Sequence, residues 1–367
     1  MLIITMLLME GCKKRQHSEN DDFITVNVKT SYPKRNISLQ SFMDVEYIAL
    51  ETSNEFLCQG RVLDIGKNVI LVRNDIQDGD IFVFDRSGKG IRRINRRGGG
   101  GEEYTTIFGV VLDEYNGEIF VNDVITRKVM IYDLFGNFIR NFRYNEELRI
   151  DNIYNFDKEN LICDINNDSE SYKKIFAIIS KQDGSIVNEI QIPYKQKKST
   201  NTNSLTMYKY YPILPFHDNW ILSEASSDTV YNFLSDYSMI PFIVRTPSIQ
   251  SMSPEVFLFS KIFTDRYYFM EKVKKDNNFL KTDLMYDNQK KAIYEYTLYN
   301  DDYVDKRHIN MMILETKNDK IAFWQKIEAY ELVRSYKKGE LKGKLKEIAA
   351  GLEDTSNPVI MLIKNND

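Results

Sequence analysis

The chain has 367 residues, of which 43% are hydrophobic and 28% charged, a balance that excludes a disordered or fibrous protein. Its net charge is −4, with acids and bases interspersed, so it lacks the clustered basic footprint of a nucleic-acid binder. The 23 tyrosines and 21 phenylalanines suit half-buried strands and lean the composition to all-β.

Taken in order, residues 1–9 (MLIITMLLM) are apolar. The run is shorter than the ~20 residues a membrane-spanning helix needs, and it fits the apolar part of a secretory signal. Cys12 follows Glu10 and Gly11. Residues 1–12 resemble the signal peptide and lipobox of bacterial lipoproteins, which implies lipid on Cys12 as the sole membrane anchor. The competing reading is a chain whose first residues are merely apolar. Residues 13–22 (KKRQHSENDD) are polar and are predicted to be a tether that lets a folded domain, residues 23–367, stand off the membrane.

Residues 23–28 (FITVNV) alternate and are predicted as a strand, as are residues 44–50 (DVEYIAL). Between them SYPKRN is predicted as a loop punctuated by Pro33 and Asn36.

A repeat then begins. Six times, a turn rich in Gly, Asn or Asp runs into a short apolar strand. The strands open at Val69, Ile119, Leu161, Trp220, Tyr267 and Ile321, at gaps of 50, 42, 59, 47 and 54 residues. Asn116-Gly117 is predicted as a type I′ hairpin turn, whose two central residues both take positive φ. A second hairpin follows in each unit. Asp85-Arg86-Ser87-Gly88 and Asp133-Leu134-Phe135-Gly136 put Asp first and Gly fourth, the preference of a type I turn. Gln182-Asp183-Gly184-Ser185 serves the same end, and degenerate copies lie near Asp236 and Asn288. Four short strands per unit of roughly 50 residues mark a β-propeller. One such sheet cannot bury both faces, whereas six around an axis can.

In the last unit, strands are predicted over residues 311–314, 321–327 and 329–336. Leu341, Leu345, Ile348 and Leu352 share one face and predict a single helix over residues 338–352, packed on the propeller's side. Asn357-Pro358 ends it, and residues 359–364 (VIMLIK) form a final strand. Residues 44–50 and 359–364 are the candidates for a blade shared by both chain ends. The predicted fold is an all-β, six-bladed propeller with four-stranded antiparallel blades, closed by N- and C-terminal strands and carrying one C-terminal helix. Cys58 and Cys163 lie in apolar strand contexts and read as buried thiols. Spacing alone does not reveal whether they pair.

The segments VEYIALET (45–52), IFVFDRSGKGIRRINRRGGGGEEY (81–104) and EDTSNPVIMLIK (353–364) resemble the six-bladed β-propeller lipoproteins of Gram-negative bacteria. In that family an rxGxGPxEY-like segment follows the first Asp-x-x-Gly-Lys hairpin. The run from Arg97 to Tyr104 matches it, without the proline and with a longer glycine run. The resemblance spans residues 44–364. It implies the fold and a lipid-anchored place in the cell envelope, on the periplasmic or surface side of the outer membrane. It supplies no catalytic residues.

The glycines at 98–101 are not followed by the Lys-Ser/Thr of a phosphate loop, and Glu102 and Glu103 would repel phosphate. They are predicted to let a blade-to-blade crossover turn sharply. Such a crossover is expected near the mouth of the central channel, which makes Arg96, Arg97, Glu102, Glu103 and Tyr104 the candidate ligand-binding residues. None of His17, His217 and His308 has metal-ligand spacing. No metal site or cofactor is predicted, although a carboxylate calcium site drawing on Asp64, Asp113, Asp123 and Asp164 stays open beside their role in turns. The aromatic clusters Tyr208-Lys209-Tyr210-Tyr211 and Tyr267-Tyr268-Phe269 suit packing between blades, or stacking on a sugar or peptide. No G-x-S-x-G elbow is present, and no catalytic residue is assigned. The expected function is a binding module for an envelope protein, peptide or glycan. The alternative is a lyase or hydrolase at the channel mouth with a carboxylate-bound metal. A purely structural part of an envelope complex is a third reading.

Overall fold

The computed structural model describes residues 23–74, 77–144, 148–167, 175–193, 212–276, 279–309, 311 and 321–365. Cys12, the tether, the 208–211 aromatic cluster and residues 312–314 of the predicted strand lie outside them.

Six sheets stand for six blades. The first holds Arg61–Ile65, Val69–Arg73, Asp80–Asp85 and Gly90–Asn95, in chain order from the innermost strand outwards. The second repeats this with Gly109–Asp113, Glu118–Asp123, Lys128–Asp133 and Phe138–Arg143, and the third with Leu148–Asn155, Asn160–Asn167, Ile175–Ser180 and Ile186–Ile190. Blade four is Ile213–Phe216, Asn219–Leu222, Thr229–Phe233 and Met239–Thr246; blade five is Val256–Phe263, Tyr267–Lys274, Leu280–Asp287 and Ala292–Asn300. The first five turn-then-strand signals of the sequence each open the second strand of a blade, and the sixth opens Ile321–Ile327, an end strand of the three-stranded sheet described for blade six.

Both faces of each blade are buried, so strands read as near-continuous apolar runs. In blade two, Val110 and Leu112 pack toward blade one while Val111 packs toward blade three. Each of the six blade interfaces has its own apolar cluster. Cys58 and Cys163 sit in two different clusters as buried free thiols.

The Asp-x-x-Gly hairpins form as expected. The Gly88 and Gly136 N–H groups bond the Asp85 and Asp133 carbonyls at 3.0 Å. Their glycines do a second job. Gly136 has φ +83°, and a Cβ there would stand 2.8 Å from Ile94 of the preceding blade. A Cβ on Gly88 or Gly184 would come closer still, 2.1 Å from the Ala49 carbonyl oxygen and 2.3 Å from Phe142. The repeated glycine therefore spaces neighbouring blades as well as turning the chain. Asn116-Gly117 differs from the expectation. Asp113 pairs with Glu118, leaving a four-residue loop, and only Gly117 has positive φ. The Asn116 amide instead donates to Asp113 Oδ2 and to the Lys158 carbonyl, 2.8 and 2.9 Å away.

The ring closes as predicted. Met43–Ala49 pairs antiparallel with Val359–Asn365, Ile48 opposite Ile360, and the latter pairs with Ile321–Ile327. The segment before it does more than the sequence suggests. Ile24–Asn27 adds in parallel to the outer strand of blade four. Lys34–Ser38 adds in parallel to that of blade five. SYPKRN is thus not wholly a loop: KRNIS is polar, but an existing strand edge offers its backbone a ladder. The N-terminal segment therefore runs along blades four, five and six in turn.

Two helices replace the single predicted one. Residues 329–336 were expected as a strand but form α1, Ala329–Lys337, in which Ala329, Leu332 and Val333 are buried. That i, i+3, i+4 spacing is helical. The helix expected over 338–352 is shortened to α2, Gly343–Ala349. Gly339 and Gly343 take positive φ and break the run, while Leu341 and Leu345 still reach the core. No helix among the described residues is long and apolar enough to cross a membrane.

Candidate functional site

An up-and-down blade puts its first and third turns at one end of the strands. Its second turn and the crossover to the next blade lie at the other. The glycine-rich segment 96–104 is the crossover from blade one to blade two, and it packs on the second turn of blade one. The buried Tyr104 (0% exposed) donates its hydroxyl proton to the Gly79 carbonyl at 2.7 Å and accepts the Arg96 N–H at 3.1 Å. Burial pushes this hydroxyl up to about 12, keeping it a donor. Arg97 and Tyr104 form a parallel bridge. Tyr132 donates to the Glu102 carbonyl at 2.9 Å, and Arg96 Nε to the Gly136 carbonyl at 2.8 Å.

None of the four glycines at 98–101 has positive φ. Two are needed for close approach instead. Glu103 folds back to accept the Gly100 N–H at 2.7 Å, and a Cβ on Gly98 would stand 1.9 Å from its Oε2. The structure thus brings Arg96, Arg97, Glu102, Glu103 and Tyr104 together in one braced loop. Four of them are solvent-exposed and Tyr104 is internal.

A cavity of about 700 Å³ opens at the opposite end of the inner strands. None of those five residues lines it. Its wall is built from the first turns of blades one, two and three, which are pinned side by side. Glu114 accepts the Lys67 and Asn68 N–H groups at 2.6 and 2.8 Å. Asn116 reaches the Lys158 carbonyl, and Lys158 Nζ stands 4.4 Å from the centre of the Tyr115 ring. Lower down, Asp64 Oδ2 accepts the Leu112 N–H at 2.8 Å, and the Asn155 amide donates to the Leu112 carbonyl at 2.7 Å. Lys181, 4% exposed, holds Asp113 at 2.6 Å and the Asp157 carbonyl at 2.7 Å. Arg86 and Lys364 complete the rim, both paired with Glu46.

The four aspartates considered for calcium separate. Asp64 and Asp113 line the cavity and are engaged as above. Asp123 lies at the far end, accepting from the backbone and hydroxyl of Thr105. Asp164 accepts the Asn152 N–H at 2.6 Å. Among the described residues, no group of three or more His, Cys, Asp or Glu side chains is arranged to hold a metal ion. Tyr267, Tyr268 and Phe269 are buried in blade interfaces. Sequence reasoning missed Lys67, Tyr115, Phe156 and Lys158. The first three turn signals contain or adjoin them, and superposing those turns would have set Lys67, Tyr115 and Lys158 in three adjacent blades.

Six sheets around an axis, five with four up-and-down strands and the sixth with three among the described residues, and a loop-lined cavity at one mouth define a six-bladed β-propeller. The chain belongs to the DUF5128 family of six-bladed β-propellers, which matches residues 14–324. It is similar in structure to a Bacteroides fragilis protein assigned to the exported class. That similarity has a TM-score of 0.60 at 15% identity and covers 94% of this chain and 99% of the other. A DUF4221 family member from Bacteroides vulgatus gives a TM-score of 0.47 at 10% identity over 89% and 98% of the two chains. A virginiamycin B lyase of Staphylococcus aureus gives 0.39 at 11% over 77% and 93%. The first likeness shows the fold alone, and the other two carry no argument. No curated protein matches the chain in sequence.

Proposed function

We propose that this propeller is a non-enzymatic binding module of the cell envelope, tethered through lipid on Cys12, that takes its ligand at the mouth formed by the first turns of blades one to three. The observation that carries this reading is the cavity itself. It is about 700 Å³, within the range of small-ligand sites, and its wall is a set of cross-pinned turns rather than free loops. Every carboxylate in the lining accepts hydrogen bonds from the protein, Asp157 from the Asn160 and Glu159 N–H groups. That leaves the walls rigid and the carboxylates structural, as suits binding more than proton transfer. The exported class of the Bacteroides fragilis protein and the apolar start of the sequence support an extracytoplasmic location.

Thermal-shift measurement against a panel of oligosaccharides and short peptides tests the binding half. Stabilisation of the wild type that is lost in Tyr115→Ala supports the cavity. Stabilisation indifferent to Tyr115 contradicts it. Labelling with radioactive palmitate tests the tether: label on the full chain that disappears in Cys12→Ala supports it, and an unlabelled wild type contradicts it.

A further inference from the structure

The cavity mouth carries a charge pattern that narrows its ligand, an inference that rests on the binding reading above. Lys67, Tyr115 and Lys158 occupy the first turns of three consecutive blades. The pins through Glu114 and Asn116 fix those turns against one another. The order along the rim is therefore cation, ring, cation. Tyr115 is 70% exposed, and its ring is already electron-rich enough to hold the Lys158 ammonium.

The groups left to meet a ligand at this mouth favour an anion, because the carboxylate oxygens already accept hydrogen bonds from the protein. Both Glu114 oxygens take backbone N–H groups. Asp113 takes Lys181 and Asn116. Asp157 and Asp64 take backbone N–H groups. On the cationic side, Arg86 and Lys364 share Glu46. The Lys67 and Lys158 ammonium groups have no carboxylate partner among the described residues, nor any interaction beyond those named. Two ammonium groups that make no ion pair among the described residues, on either side of an exposed aromatic ring, complement a chain in which carboxylates alternate with ring faces. A sugar ring offers the apolar face that stacks on tyrosine, and a uronate offers the charge. We infer that the mouth of blades one to three binds an acidic oligosaccharide of the uronate type, with Lys67 and Lys158 taking carboxylates and Tyr115 taking a ring face.

Isothermal titration calorimetry with a trimer of galacturonate, a neutral galactose trimer and a hexaglutamate peptide tests this. The wild type and a Lys67→Gln/Lys158→Gln variant with unchanged thermal midpoint are compared. The expected result is binding of the galacturonate trimer, about tenfold or more weaker in the variant and weakened similarly by high salt, with the neutral trimer at least that much weaker on the wild type. Equal binding of neutral and acidic trimers overturns the charge assignment. Hexaglutamate binding that depends on the two lysines, without sugar binding, overturns the sugar and leaves the cavity reading standing. No binding of any of the three probes overturns the inference, and the wider thermal-shift panel then decides the cavity reading separately.

Discussion

Gly136 lies against Ile94: the turn of one blade rests on the outer strand of the blade before it, and a Cβ on the glycine would come within 2.8 Å of Ile94 Cγ2. Gly136→Ala adds this clash to the penalty for a side chain at φ +83°. A loss of about 2–3 kcal/mol is expected. Gly117 has φ +69° but nothing within 4 Å of its Cβ position, so Gly117→Ala costs only about 1 kcal/mol. Denaturant unfolding of the two variants checks the difference. Equal losses would mean that the repeated glycine serves the turn alone.

Asn357 is the latch of the ring. It is 1% exposed; its Oδ1 accepts the Cys58 N–H at 2.8 Å and its Nδ2 donates to the Glu51 and Phe56 carbonyls. It thereby ties the last strand to the segment leading into blade one. Asn357→Ala leaves buried backbone groups unpaired and is expected to cost about 3 kcal/mol, read as a lower unfolding midpoint. A shift within error of zero would contradict the latch.

Lys181 and Asp113 form a buried ion pair at 2.6 Å, each side chain 5% exposed. Lys181→Met strands the Asp113 carboxylate and is expected to destabilise by roughly 3–5 kcal/mol. Lys181→Met/Asp113→Leu recovers much of that loss, because removing both partners leaves no buried charge. A double variant no better than the single would contradict this.

Glu271 is expected to make the stability depend on pH. It is 1% exposed and its Oε1 lies 3.0 Å from Lys261 Nζ; burial, with the nearby Asp283 second, outweighs that cation and pushes its carboxyl up from 4.5 to about 7. Because the folded state holds this proton more tightly, the contribution is complete below the unfolded value of 4.5 and is lost as pH rises through about 7. Wild-type stability is therefore expected to fall between about pH 4.5 and 7, with a flatter profile for Glu271→Gln. Parallel profiles would remove Glu271 as the cause.

The sequence announces the blades because short apolar strands recur after polar turns, in one of which Gly117 takes positive φ. It also announces the closure, since residues 44–50 and 359–364 are the apolar segments left without a unit. It does not announce Lys34–Ser38, whose pairing is imposed by the edge of blade five rather than by its own polar residues. Nor does alternation separate a strand from α1, where Ala329, Leu332 and Val333 alone point inward. The candidate site was legible only as conspicuous residues. The glycine run drew attention because of its composition, and its composition serves Glu103. Lys67, Tyr115 and Lys158 look like ordinary turn residues until the ring sets them side by side.

Hydrogen–deuterium exchange with the galacturonate trimer present tests which end of the ring binds. Protection confined to residues 65–68, 112–117 and 155–158 is the predicted result. Protection of residues 96–104 instead would contradict the claim that this propeller works through the mouth of blades one to three.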